Sequence, residues 1–150
     1  MAFGEEVDQL SSSASQQKFR NDRQAQSVKQ ALEQASRNLK ILSDAGVPIA
    51  MGTDSGAEGN PGRWQGYFEH VEMEMMTRAG MTPMQVIVAA TRNGAQFLRM
   101  NDAGTIEANK SADFIVLDAN PLDNIANTRK ISSVYLRGAQ IDRAAFRKGP

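Results

Sequence analysis

Cysteine is absent from this 150-residue chain, histidine and tryptophan occur once each, and neither charge sign is in excess. Without cysteine there is no disulfide framework, thiolate metal site or thiol nucleophile, which fits a reducing compartment and makes the cytoplasm the expected location. The single histidine, His70, rules out the paired-histidine helix face of zinc peptidases, and the lack of a Gly-x-Ser-x-Gly elbow argues against a serine triad. Lysine plus arginine number 17 and aspartate plus glutamate 17, with no dense basic block, so the long-range field that draws proteins to phosphate backbones is lacking and nucleic acid is not an expected partner. Apolar runs such as residues 86–90 and 114–117 fall far short of the roughly 20 residues that a membrane helix needs, and the N-terminus carries no apolar signal core. The glycines of Gly52-Thr53-Asp54-Ser55-Gly56 have neither the spacing nor the lysine of a phosphate-binding loop.

What is present reads as globular, with 41% hydrophobic and 23% charged residues. Residues 1–21, including Ser11-Ser12-Ser13-Ala14-Ser15, are polar and aperiodic, as in a loop or a segment ordered by a partner. From 23 to 44, Val28, Ala31, Leu32, Ala35, Leu39 and Leu42 recur every three or four positions, which predicts a helix with one buried stripe, stopped by Gly46. Val47-Pro48-Ile49-Ala50-Met51 is too short for three helical turns and reads as a buried strand, followed by a long glycine-containing connection over 52–62. A second helix is expected over 67–78, with Phe68, Val71, Met75 and Ala79 on one face, closing at Gly80. The third has a written-out start: Thr82 as N-cap, Pro83 at the first helical position, Gln85 to complete a capping box, and Met81 to staple onto Val86. It is expected to run to 92, with Asn93-Gly94 breaking it before a further turn carrying Phe97 and Leu98. Beyond a boundary at 101–105 the pattern turns to strands at 114–117 and 134–136, a tight turn at Arg137-Gly138 and a last short strand near 140–141.

Asp54 is the first candidate for chemistry. A carboxylate directly after an apolar strand, before a glycine-rich loop, stands where α/β folds build their sites, and it serves either as metal ligand or base or simply as a turn former. His70 lies in the acidic stretch 69–74; either it pairs with Glu74 across one helical turn, or it faces a pocket at the start of its helix. Arg63 and Trp64, in the connection after Asp54, can bind a polar substrate by charge and stacking, with a solvated loop and a packed tryptophan as the alternative.

Three blocks in order carry a resemblance. Gly46-Val47-Pro48-Ile49-Ala50-Met51-Gly52-Thr53-Asp54, then Ala79-Gly80-Met81-Thr82-Pro83 with Ala89-Ala90-Thr91-Arg92-Asn93-Gly94-Ala95, then Gly104-Thr105-Ile106-Glu107 with Ser111-Ala112-Asp113-Phe114-Ile115-Val116-Leu117-Asp118 together resemble the C-terminal third of the amidohydrolase superfamily, in its imidazolonepropionase-like and prolidase-like branch. The resemblance implies an α/β fold: the last βα units of a (β/α)8 barrel over 1–100, and part of a small composite β-sandwich over 101–150. A complete barrel needs about 250 residues, so this one is partial. It further implies a hydrolase acting on a carbon–nitrogen bond in a small cyclic amide or a dipeptide, with one or two divalent metals, usually zinc. Asp54 would be both metal ligand and proton shuttle, and His70, with Arg63 and Trp64, would lie on the substrate side. The family's other metal ligands have no counterpart here, because the histidines they require are missing. The chain would therefore need the rest of its barrel or an oligomeric partner, and a non-catalytic split-barrel module is the alternative. Ala108-Asn109-Lys110 also departs from the family's usual Pro-Gly-Lys turn.

Overall fold

A computed structural model describes residues 12–14, 17, 23–56 and 64–147. The polar N-terminal stretch falls largely outside these residues, as does most of the connection after Asp54. In chain order the main elements are helices α1 (Arg23–Asp44), α2 (Phe68–Arg78) and α3 (Pro83–Val88), a π-helical turn (Ala89–Asn93), helix α4 (Gly94–Phe97), strand β1 (Phe114–Leu117), a 3-10 helix (Ile125–Arg129), strands β2 (Ile131–Leu136) and β3 (Ala139–Gln140), and a terminal helix α5 (Arg143–Arg147).

Helix α1 has the predicted length, but its stripe is not buried. Val28, Leu32 and Leu42 are exposed, Leu32 at 46%, and only Leu39 of the predicted set is drawn against the core. The apolar residues keep their helical phase, but nothing among the described residues covers that face. Residues 47–51 likewise form no strand. A strand exists only when a neighbour completes its ladder, and here the backbone bonds sideways to helices: Met51 N–H donates to the Ala89 carbonyl at 3.0 Å, and Asn93 Nδ2 donates to the Ile49 carbonyl at 2.8 Å.

The same two contacts account for the π-helical turn. A carbonyl and an asparagine turned outward toward 49–51 replace the expected break at Asn93-Gly94, and Gly94 keeps helical dihedrals. The capping box at α3 is as predicted. Thr82 Oγ1 accepts from Gln85 N–H at 3.3 Å, Gln85 Oε1 accepts from Thr82 N–H at 2.8 Å, and Met81 and Val86 are both buried.

Three helices end alike. At Gly46 (φ 76°), Gly80 (φ 106°) and Arg99 (φ 58°) the chain turns left-handed, and the next N–H reaches back five residues, as in Val47 to Leu42, Met81 to Met76 and Met100 to Ala95. Glycine takes that conformation at no steric cost; Arg99 does not.

The core gathers Met73, Met76, Met81, Val86, Ala89 and Ile125, with Leu39, Ile49 and Met51 packed against it. On α2 the buried positions are thus Met73 and Met76, while the predicted face of Phe68, Val71, Met75 and Ala79 is only half-buried. The helix is rotated because it packs against the 3-10 segment, which supplies Ile125. That segment, unforeseen in the sequence, docks the C-terminal sheet to the helices. The sheet has the order β1-β2-β3, antiparallel throughout, with Phe114 opposite Tyr135 and their rings stacked at 4.6 Å. Arg137 and Gly138 both have positive φ, the twist that a tight β2-β3 hairpin requires.

Candidate active site

Asp54 ends the irregular segment 47–54 on an exposed loop, with φ 52°. Aspartate tolerates this left-handed conformation better than most residues, but it still costs on the order of 1 kcal/mol. The loop is gripped from α2. Ser55 Oγ donates to Glu69 Oε1 at 2.5 Å, Thr53 Oγ1 donates to the same oxygen at 3.4 Å, and Ser55 N–H donates to Thr53 Oγ1 at 3.3 Å.

Glu69 is the only acid in the first turn of α2, where the helix dipole favours negative charge. Burial works to raise its pKa, but the Ser55 hydroxyl, the nearby amides of Glu69 and Gly66, and the Thr53 hydroxyl outweigh burial and hold the carboxyl below its ordinary range. Its second oxygen, Oε2, is buried and makes no hydrogen bond of normal geometry among the described residues. Leaving a buried acceptor unpaired costs roughly 1–3 kcal/mol, and more when it carries charge.

His70, the next residue, turns to a different neighbour. Its Nδ1 lies 2.9 Å from Thr128 Oγ1, and the Thr128 hydroxyl donates to the Ile125 carbonyl at 2.8 Å. With that hydroxyl hydrogen spent, Nδ1 must carry the proton, which leaves the Nε2 lone pair as an acceptor. Burial, and then the Arg129 guanidinium, lower the His70 pKa; Glu69 and Glu74 oppose them without reversing the shift. Glu74 does not pair with His70. It takes Arg129 and, at 3.5 Å, Arg78. Arg129 also lies over the Tyr67 ring, 5.3 Å from its centroid, and Trp64 meets Tyr67 edge-to-face at 6.2 Å.

The structure therefore brings Thr53, Ser55 and Glu69 together around Asp54, and sets His70 against Thr128 beside them. Half-buried Trp64 packs on Tyr67, and Arg63 lies outside the described residues. Glu69 was not singled out by sequence reasoning; the signal was an acid in the first turn of the helix that follows a loop with hydroxyls on both sides of Asp54. Thr128 gave no such signal. Among the described residues, no three histidine, cysteine, aspartate or glutamate side chains are grouped to hold a metal ion, and no helix is long and apolar enough to cross a membrane.

Comparison with known proteins gives this geometry a context. Residues 6–141 match the model of the Amidohydrolase family. The chain is 33% identical over 104 residues to an imidazolonepropionase of Deinococcus radiodurans, covering 67% of this chain and 25% of that protein. Among solved structures it is similar to phenylurea hydrolase B, with a TM-score of 0.66 and 33% identity over 77% of this chain and 28% of that one. It is also similar to a Xaa-Pro dipeptidase with bound methionine in its active site, with a TM-score of 0.60 and 31% identity over 71% of this chain and 25% of the other. The chain thus spans about a quarter of the length of these relatives.

Proposed function

Since this chain belongs to the amidohydrolase family, we propose that it is the C-terminal part of a metal-dependent enzyme that hydrolyses a carbon–nitrogen bond in a cyclic amide or a dipeptide. The observation that carries this reading is Asp54, an exposed carboxylate held in a left-handed turn by bonded neighbours at the end of the irregular segment 47–54. The imidazolonepropionase and the Xaa-Pro dipeptidase support the two substrate classes by their names. In this reading residues 1–100 complete a barrel, 101–150 belong to a small β-domain, and the enzyme works in the cytoplasm without nucleic acid or membrane.

In the reaction, water adds to the carbonyl carbon and its proton passes to the Asp54 carboxylate. The carbon–nitrogen bond then breaks, and the same proton goes to the departing nitrogen. Holding the carboxylate in place is this chain's share of the work. His70, protonated at Nδ1, offers substrate an acceptor rather than a donor, and Arg63 and Trp64 flank the substrate from the loop after Asp54.

Family members generally use divalent metals. A catalytic zinc normally has three protein ligands, and the described residues do not assemble such a set. Asp54 fits as one ligand, with the remaining donors and the choice between one and two ions belonging to the rest of the barrel.

The test is Asp54→Asn in the complete enzyme, with methionyl-proline and an imidazolone acid as probes. Turnover should fall about 10²- to 10⁴-fold, the usual share of a general acid–base group, with thermal stability unchanged; parental turnover would remove the assignment. A second reading, a non-catalytic split-barrel subunit, draws on the exposed stripe of α1. It predicts that light scattering finds the purified chain associated with a partner chain or a second copy, and that the assembly does not hydrolyse either probe.

A further inference from the structure

The Glu69 carboxylate is absent from the steps above, yet it ties the Asp54 loop to the rest of the fold. One of its oxygens takes the hydroxyls of both residues that flank Asp54, Ser55 at 2.5 Å and Thr53 at 3.4 Å. The Ser55 amide closes the ring onto Thr53 Oγ1. The grip comes from a rigid element, because four residues further along α2 Met73 is buried in the core and Met76 follows it. Two hydroxyls converging on one oxygen of a helix-borne side chain fix the loop on both sides of the strained Asp54.

Resting on the reading of Asp54 as proton acceptor, we propose that Glu69 is a positioning residue, which fixes the Asp54 loop in its working orientation through the Thr53 and Ser55 hydroxyls. It neither contacts substrate nor carries the transferred proton. Its effect is on where the Asp54 carboxylate stands when the proton leaves water.

Amide hydrogen exchange in the 150-residue chain tests the grip directly. Glu69→Ala should speed exchange at the Ser55 amide, whose acceptor loses its anchor, and leave the Met51 amide, bonded to the Ala89 carbonyl, as in the parent. Unchanged exchange at Ser55 overturns the proposal whatever the enzyme does. In the complete enzyme assayed with methionyl-proline, Glu69→Ala should lower kcat about 10²-fold, as expected for a misplaced catalytic group, with KM near the parental value. Glu69→Gln should restore most of that loss, since its amide oxygen accepts the same hydroxyls; a Gln variant as slow as the Ala variant counts against positioning. Asp54→Asn measured alongside separates the two layers. If Asp54→Asn keeps full turnover, the acceptor role fails and the proposal fails with it. If Asp54→Asn is slow while Glu69→Ala keeps parental kcat, only the Glu69 assignment falls. Should Glu69→Ala not fold, Ser55→Ala removes the shorter bond from the loop side and is read by the same turnover assay, with exchange at the residue-55 amide, still bonded to Thr53 Oγ1, as its local probe.

Discussion

Helices α1 and α3 invite comparison, because both announce an apolar face in the sequence and only one of them finds a cover. On α3, Val86 is fully buried between Met81 and the methionines of α2. On α1, Leu32 and Leu42 stand in the same helical phase and are exposed. Periodicity reports which face a helix would bury; it says nothing about which segment does the burying.

Paired substitutions sharpen the contrast. Met76→Ala should cost about 2–5 kcal/mol in urea unfolding of the chain, as for other large core truncations, whereas Leu32→Ala should stay within about 0.5 kcal/mol, as at a surface position. A large loss at Leu32 would mean that a second copy covers α1, and its size would then depend on protein concentration. Gly104→Ala comes next. Gly104 has φ 86°, and an added Cβ would come within 2.6 Å of the Ala95 Cβ and 3.1 Å of the Arg92 Cα, so strain and collision together should cost about 2–3 kcal/mol in the same assay. Gly46→Ala has the strain without the collision and should cost about half as much. In the opposite direction, Arg99→Gly should stabilise by up to about 1 kcal/mol, because it relieves a left-handed arginine at a helix stop.

The smallest expected effect concerns pH. The fold lowers the His70 pKa from its ordinary 6.5, chiefly by burial and then by Arg129, against Glu69 and Glu74. The unfolded chain therefore binds this proton more readily. The stability contributed by neutral His70 is complete above pH 6.5 and is lost as pH falls through the lower folded value. His70→Gln should flatten that part of the stability profile, measured by thermal melts across the acid range; an unaltered profile would mean that burial and Arg129 do not disfavour the charged imidazole in the folded chain.

The legible parts of the fold were those decided by neighbours in sequence. The Thr82 capping box, the glycine stops at Gly46 and Gly80 and the Arg137-Gly138 turn depend on a few adjacent residues, and the structure holds each of them. The strand expected at 47–51 depends on a partner elsewhere in space, and no ladder forms there among the described residues. The 3-10 helix at Ile125–Arg129 lies between two expected strands and gave no signal, because a single turn has no periodicity to read. Asp54 stood out because it ends an apolar run. Glu69 and Thr128 did not, since each acquires its meaning from a contact far along the chain, Glu69 with Ser55 and Thr128 with His70.

The core's reliance on Met73, Met76 and Met81 carries a chemical consequence. Thioethers fill irregular gaps well, but each becomes polar once oxidised to the sulfoxide. Met84 and Met100 are exposed and should react first with dilute peroxide, while the three core sulfurs are shielded as long as α2 and α3 stay together. The order in which these methionines gain oxygen is thus a built-in record of how often the helices part.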